Sequence, residues 1–167
     1  MELTAVLNAL NAAARHAESL GFGRETLRRQ DLAWVFSRLL IQMDRYPLEF
    51  EEYTICTWVA GASRWFSDRR FAVLDASGCP IGYATSMWAM INLTTRQPVD
   101  ILEAVPQYGN HVLTKGAPDC PVSRSGRAKV TADEPVLTFA PLFCDIDYNG
   151  HFNSIKYIEH LLNALPM

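Results

Sequence analysis

Ile81-Gly82-Tyr83-Ala84-Thr85-Ser86-Met87-Trp88-Ala89-Met90-Ile91-Asn92 is the stretch on which the fold turns. Residues two apart along a strand share a face. One face of this run carries Ile81, Tyr83, Thr85, Met87, Ala89 and Ile91; the other carries Gly82, Ala84, Ser86, Trp88 and Met90. Both faces are apolar or small, whereas a half-solvated strand alternates apolar with polar residues. The run therefore predicts a strand covered on both sides, as in a curved antiparallel sheet wrapped around a helix. Just upstream, Phe71-Ala72-Val73-Leu74 runs into Asp75-Ala76-Ser77-Gly78, whose polar residues and Gly predict a hairpin. Tyr53 to Val59 is rich in β-branched and aromatic residues and predicts a further strand. Leu39, Ile41 and Met43 alternate with Leu40, Gln42 and Asp44 until Pro47 ends the run.

Outside these strands the periodicity changes. Val6, Leu10, Ala13, Ala17 and Leu20 recur three and four apart, which predicts a helix stopped by Gly21-Phe22-Gly23. Arg24 to Asp31 is polar and is expected to be a connection. The class is thus α+β. Residues 105–135 hold Pro106, Pro118, Pro121 and Pro135 among scattered Gly, Ser and charge, the composition of a linker. Val136 to Cys144 is expected to be a strand, followed by an Asp/Asn-rich loop and a helix striped by Ile155, Ile158, Leu162 and Leu165. Two similar helices suggest an internal repeat, divided as 1–104, a linker over 105–135, and 136–167. A lone helix of that length is marginal in water, so a chain ending early within its second repeat is expected.

Composition narrows the field. The 167 residues suffice for one domain, or one and part of another, and 49% hydrophobic residues are enough for a substantial core. A net charge of −3 gives no electrostatic reason to expect nucleic acid or an anionic membrane as partner. Leu3 to Leu20 is interrupted by Asn8, Asn11, Arg15, His16 and Glu18, unlike a signal core or a membrane span. Cys56, Cys79, Cys120 and Cys144 form no C-x-x-C pair, so buried free thiols in a reducing cytosol are expected rather than zinc or redox chemistry. No metal and no cofactor is expected.

The densest polar group is Asp145, Asp147, Asn149, His151 and Asn153, every second residue ahead of a helix. Free backbone N–H groups and the positive dipole end at a helix N-terminus can stabilise an oxyanion. A Gly, here Gly150, lets a substrate carbonyl approach the backbone. Imidazole exchanges protons near neutral pH, which makes a His in such a place a candidate for proton transfer. Asp, Asn and Gly are also ordinary cap and turn residues, and capping alone explains part of the pattern. One cap needs one such residue, however, and this loop supplies several together with a His.

Asp145-Ile146-Asp147-Tyr148-Asn149-Gly150-His151-Phe152-Asn153-Ser154-Ile155-Lys156-Tyr157-Ile158 resembles the D-x-D-x-N-x-H-x-N-x-x-x-Y signature of the acyl-carrier-protein thioesterases of bacteria and plant plastids. It is similar, more loosely, to the D-x-D-x-x-G-H-x-N motif of single-hotdog thioesterases. Leu32 to Arg38 and Trp88 to Arg96 resemble the first hotdog repeat of the bacterial members. The resemblance implies a double hotdog fold that hydrolyses the thioester joining a fatty acyl chain to carrier-protein phosphopantetheine. Its first repeat would shape the acyl pocket and its second would supply the catalytic loop.

Carried over, the catalytic set is Asp147, Asn149 and His151. His151 would orient or deprotonate a water, and Asn149 would hold that water or the carbonyl. Asp147 would act as base or nucleophile, or fix the network, and N–H groups around Gly150 and His151 would form the oxyanion hole. Trp88 and Asn153 would contact substrate. The family pattern places a further acidic or cysteine residue on strands past this chain's end, and neither Glu159 nor Cys144 occupies that place. Trp34, Trp88, Met87 and Met90 suit a tunnel lining or plain core, with core the commoner outcome. His16, His111 and His160 lack metal-ligand spacing and are expected to be surface or structural. Arg64, Arg69 and Arg70 suit either docking of an acidic carrier protein or a solvated strand end. No G-x-S-x-G elbow is present, which argues against an α/β-hydrolase. The competing reading is a non-catalytic hotdog module that binds acyl thioesters; a hotdog dehydratase resembles the loop less. A homodimer hiding the second helix's apolar face is also expected.

Overall fold

The computed structural model describes residues 2–127, 129, 134–135, 137–147 and 150–164. The chain opens with α1, Glu2–Ser19, whose Val6, Ala9, Ala13 and Ala17 are buried. Its C-terminus is closed as the Gly-Phe-Gly stop predicts. Gly21 takes φ +80°, its N–H donates to Glu18 O at 3.1 Å, and the Phe22 N–H donates to Ala17 O at 3.1 Å. These are the paired bonds of a Schellman motif, and they drop Phe22 into the core. A Cβ on Gly23 would stand 2.6 Å from Glu18 Cα, so only Gly fits there.

The expected connection over 24–31 is corrected in part: α2, Arg24–Arg28, is a single helical turn. Leu27 explains it. That one apolar side chain sits fully buried against Phe22, Leu32 and Met90, and long-range packing stabilises a turn whose polar neighbours do not announce it.

Four strands follow: β1 Leu32–Met43, β2 Tyr53–Ala62, β3 Ser67–Asp75 and β4 Pro80–Asn92. They form one antiparallel sheet in the order β1-β4-β3-β2. The β3–β4 hairpin turns where expected. Gly78 has φ +82°, and Asp75 Oδ1 accepts from the backbone N–H of Ser77 and of Cys79 at 3.0 and 2.9 Å. β1 and β2 run longer than their alternation indicated, because pairing continues past the obvious pattern; Phe36, for example, lies opposite Trp88 with the rings 4.8 Å apart.

The two-faced reading of β4 holds, with different covers on its two sides. On one side α1 lays Ala9 and Ala13 over Phe71 and Ala84, with Leu39, Ile41 and Ile55 around them. On the other, Cys120 and Val122 pack on Trp58 and Ala72, flanked by Leu40, Leu74 and Tyr83. Thr85 Oγ1 fastens that strap by donating to Ser123 O at 3.0 Å. Residues 120–123 of the Pro-rich segment thus lie along the sheet. Just ahead of that segment α3, Ile101–Ala104, is capped by Asp100, and at the segment's start a 3-10 turn at Pro106–His111 buries Tyr108.

The strand expected over Val136 to Cys144 is not present among the described residues. Residues 137–142 form no ladder and Phe143–Asp145 is a 3-10 turn. Alternating apolar residues become a strand only when a neighbouring strand pairs with them, and none of the described residues does. Val136 itself lies outside the described residues. The last element is α4, Ser154–Asn163, which packs beside α1. Leu165, the last residue of its expected stripe, lies outside the described residues.

Candidate active site

The loop from Asp145 to Asn153 is a tight reversal held by its own backbone. Asn153 N–H donates to Asp145 O and Asp147 N–H to His151 O, both at 2.8 Å, while Ile146 and Phe152 bridge antiparallel. Gly150 turns the chain with φ +76°, a conformation a side chain would oppose. Its N–H donates to Asp147 O at 2.9 Å, and Asp147 Oδ1 accepts from the His151 N–H at 3.1 Å. Both N–H groups expected at an oxyanion hole are therefore engaged inside the loop. An oxyanion beside Gly150 would have to replace one of those bonds. Asn149 lies outside the described residues. Asn153, expected at the substrate, is the N-cap of α4: its Oδ1 accepts from Ile155 N–H at 3.0 Å.

Asp145 anchors this reversal from below. It is 3% exposed, and its Oδ2 accepts from Leu142 N–H at 2.8 Å. Lys156 Nζ lies 3.9 Å and His160 Nε2 3.6 Å from its two carboxylate oxygens. The Leu142 hydrogen bond, opposed by burial and aided by His160 and Lys156, holds the carboxyl below its usual range. A depressed folded-state value means this anchoring is complete above the ordinary carboxylate range and is lost as pH falls through the lowered value. The His160 ring stacks on Phe139 at 3.8 Å with 12° between planes. The sequence put Asp145 in the polar group without a role of its own and left His160 as surface or structural. The available signal was the i, i+4 spacing that puts Lys156 and His160 on one face of α4.

Above the loop opens a cavity of about 870 Å³ bordered by α1, β1 and β4. Asp147 and His151 stand on its border with Trp34 and Trp88. Trp88 Nε1 donates to Ser86 Oγ at 2.8 Å and Trp34 Nε1 to Phe22 O at 3.0 Å, which fixes both rings as walls. Met87 and Met90 are fully packed core instead. The arginines also part company. Arg64 is exposed and pairs with Asp100 at 3.0 Å, and Arg70 donates to Cys120 O at 3.4 Å. The surface reading of Arg69 is corrected: it is 4% exposed and lines the cavity with Ser67 and Tyr108. Strand alternation decides this, since Ser67, Arg69, Phe71 and Val73 share the face that α1 covers. Among the described residues no group of three His, Cys, Asp or Glu is placed to hold a metal ion, and no helix is long and apolar enough to cross a membrane.

Residues 1–108 match the family model of the acyl-ACP thioesterase N-terminal domain. The chain belongs to the acyl-ACP thioesterase family. An acyl-[acyl-carrier-protein] hydrolase of Cuphea viscosissima, chloroplastic, is 31% identical over 163 residues, 90% of this chain and 39% of the relative. The acyl-ACP thioesterase of Bacteroides thetaiotaomicron superposes with a TM-score of 0.87 at 41% identity, over 99% of this chain and 66% of that one. The 12:0-ACP thioesterase of Umbellularia californica shares the fold, with a TM-score of 0.77 at 24% identity. The architecture is thus the hotdog fold of acyl-ACP thioesterases. This chain spans under half the length of the curated relative from Cuphea and about two thirds of the Bacteroides structure.

Proposed function

We propose that the protein hydrolyses fatty acyl-carrier-protein thioesters to free fatty acid and carrier-protein thiol. One observation carries this reading: Asp147 and His151 border the same large cavity that Trp34 and Trp88 wall with apolar surface. An acyl chain would lie between α1 and the sheet with its thioester at the loop. Water would add across the carbon–sulfur bond, its oxygen going to the acyl carbon and a proton to the leaving sulfur. The exposed His151 is the group to orient or deprotonate that water. Asp147, whose carboxylate holds the His151 backbone, fixes the network, and its other assigned roles remain base or nucleophile. Asn149 holds the water or carbonyl. The partner is the acyl carrier protein, and the proposed compartment is the cytoplasm.

The test is thiol release from acyl-carrier proteins of several chain lengths. His151→Ala and Asp147→Ala should each lower the rate by about 10²- to 10⁴-fold with the thermal transition unchanged. A rate that ignores both changes sinks the proposal. The second reading, a module that binds acyl thioesters without cleaving them, draws on the engaged N–H groups of Gly150 and His151. It predicts binding of acyl-carrier protein with no thiol release from the wild-type protein.

A further inference from the structure

An acyl pocket should be apolar where the tail lies; this cavity is bordered by Glu18, Arg24, Arg28 and Arg96, and among its charged residues Arg69 is the buried one. Arg69, on the α1 face of β3, lines it beside Ser67 and Tyr108, whose hydroxyls are hydrogen-bonded at 2.5 Å. Arg69 Nη1 lies 2.9 Å from His16 Nδ1 and donates to Thr57 Oγ1 at 3.2 Å. Burial, Arg69 itself and His111 all push His16 toward its neutral form, which lets Nδ1 accept. Neither partner therefore supplies a negative charge. Both bonds also leave from Nη1. A guanidinium presents five N–H donors in a planar fork, and the Nε and Nη2 donors have no hydrogen bond to any described residue.

No described carboxylate compensates this cation. Asp68, its neighbour in sequence, points to the opposite face of the sheet and pairs with Arg124 at 2.9 Å. Glu18 and Asp147 also stand on the cavity border, and neither is among the groups whose charge acts on Arg69. A buried charge without a counter-charge is costly to keep, and packing a hydrocarbon tail against it adds to that cost. A carboxylate would remove the cost and match the planar fork with two parallel hydrogen bonds.

We propose that the Arg69 wall of the cavity is a carboxylate subsite, formed by the free donors of Arg69 with the Ser67 and Tyr108 hydroxyls beside them. The carboxylate comes either from an acyl chain with a distal acid group or from the free fatty acid left by hydrolysis. The inference rests on the cavity being an acyl pocket, yet it is read by binding and not by turnover. Absent thiol release would fell the hydrolase reading and leave this one standing.

Titration calorimetry on the full chain decides it with three probes: methyl dodecanoate, dodecanoate and monomethyl dodecanedioate. At least one carboxylate probe should bind about tenfold tighter than methyl dodecanoate, the gain expected of a hydrogen bond to a charged group. Arg69→Met should abolish that preference while methyl dodecanoate still binds, which shows the pocket is intact. Arg69→Lys, which keeps the charge, should retain part of the preference and stands in if the methionine variant does not fold. A gain for monomethyl dodecanedioate assigns the subsite to chains with a distal acid. A gain for dodecanoate alone assigns it to the product. Equal binding of all three probes, or a preference that survives Arg69→Met, overturns the proposal.

Discussion

α1 and α4 carry the same spacing of apolar residues, three and four apart, and meet different surroundings. α1 lays Val6, Ala9, Ala13 and Ala17 into the core. No residue of α4 is fully buried; of its stripe, Ile155 and Ile158 are half-buried and Leu162 is 36% exposed. What separates them is the four-stranded sheet, which presents Phe71, Ala84, Leu39 and Ile41 to the first helix. A hydrophobic stripe states which side of a helix seeks a partner; it does not state that one is present. The loop ahead of α4 compensates in a different way. It is held by polar anchors, Asp145 and Asn153, where the sheet is held by apolar packing.

Three substitutions test that contrast. Phe71 has no exposed surface and sits beneath α1, so Phe71→Ala should cost about 3–5 kcal/mol in urea unfolding, a lost side chain plus the cavity it leaves. Asn153→Ala removes one cap and should destabilise α4 by about 1 kcal/mol. Hydrogen exchange would show it as faster opening of α4 amides with the sheet amides unchanged. Leu161→Ala should shift stability by no more than about 0.5 kcal/mol, because little surface returns to water. A Leu161→Ala cost as large as that of Phe71→Ala would show that even the exposed side of α4 is covered in solution, and the contrast would dissolve.

Most of the sheet was legible because its signals are local. Alternation marked the faces of β4, and Asp75 to Gly78 marked a turn that the backbone makes with Gly78 at positive φ. The failures share a cause. Leu27 makes α2 by reaching the core, and the run after Val136 has no hydrogen-bonded neighbour among the described residues to make it a strand. Arg69 was misjudged because three arginines close together look like a solvated patch, while the pleat sends alternate ones to opposite sides. In the candidate site, Asp147, His151 and Trp88 come together at one cavity, whereas Asn153 turns inward to cap a helix. For Asp145 and His160 the spacing puts Lys156 and His160 on one face of α4, but that Asp145 lies across from this face is decided only by the fold of the loop.

The sequence by itself determined α1, α4 and the central parts of the four strands, which face of β4 and of α1 is apolar, and where Gly must stand. Those outcomes follow from backbone sterics and from apolar surface within a few residues of each other. Only the tertiary structure decided what covers each face. It set α1 and the strap around Cys120 on opposite sides of the sheet, and it placed Arg69 beside His16 and Thr57. Those contacts join residues far apart in the chain, and they form only because packing one apolar face fixes where every neighbouring side chain must go.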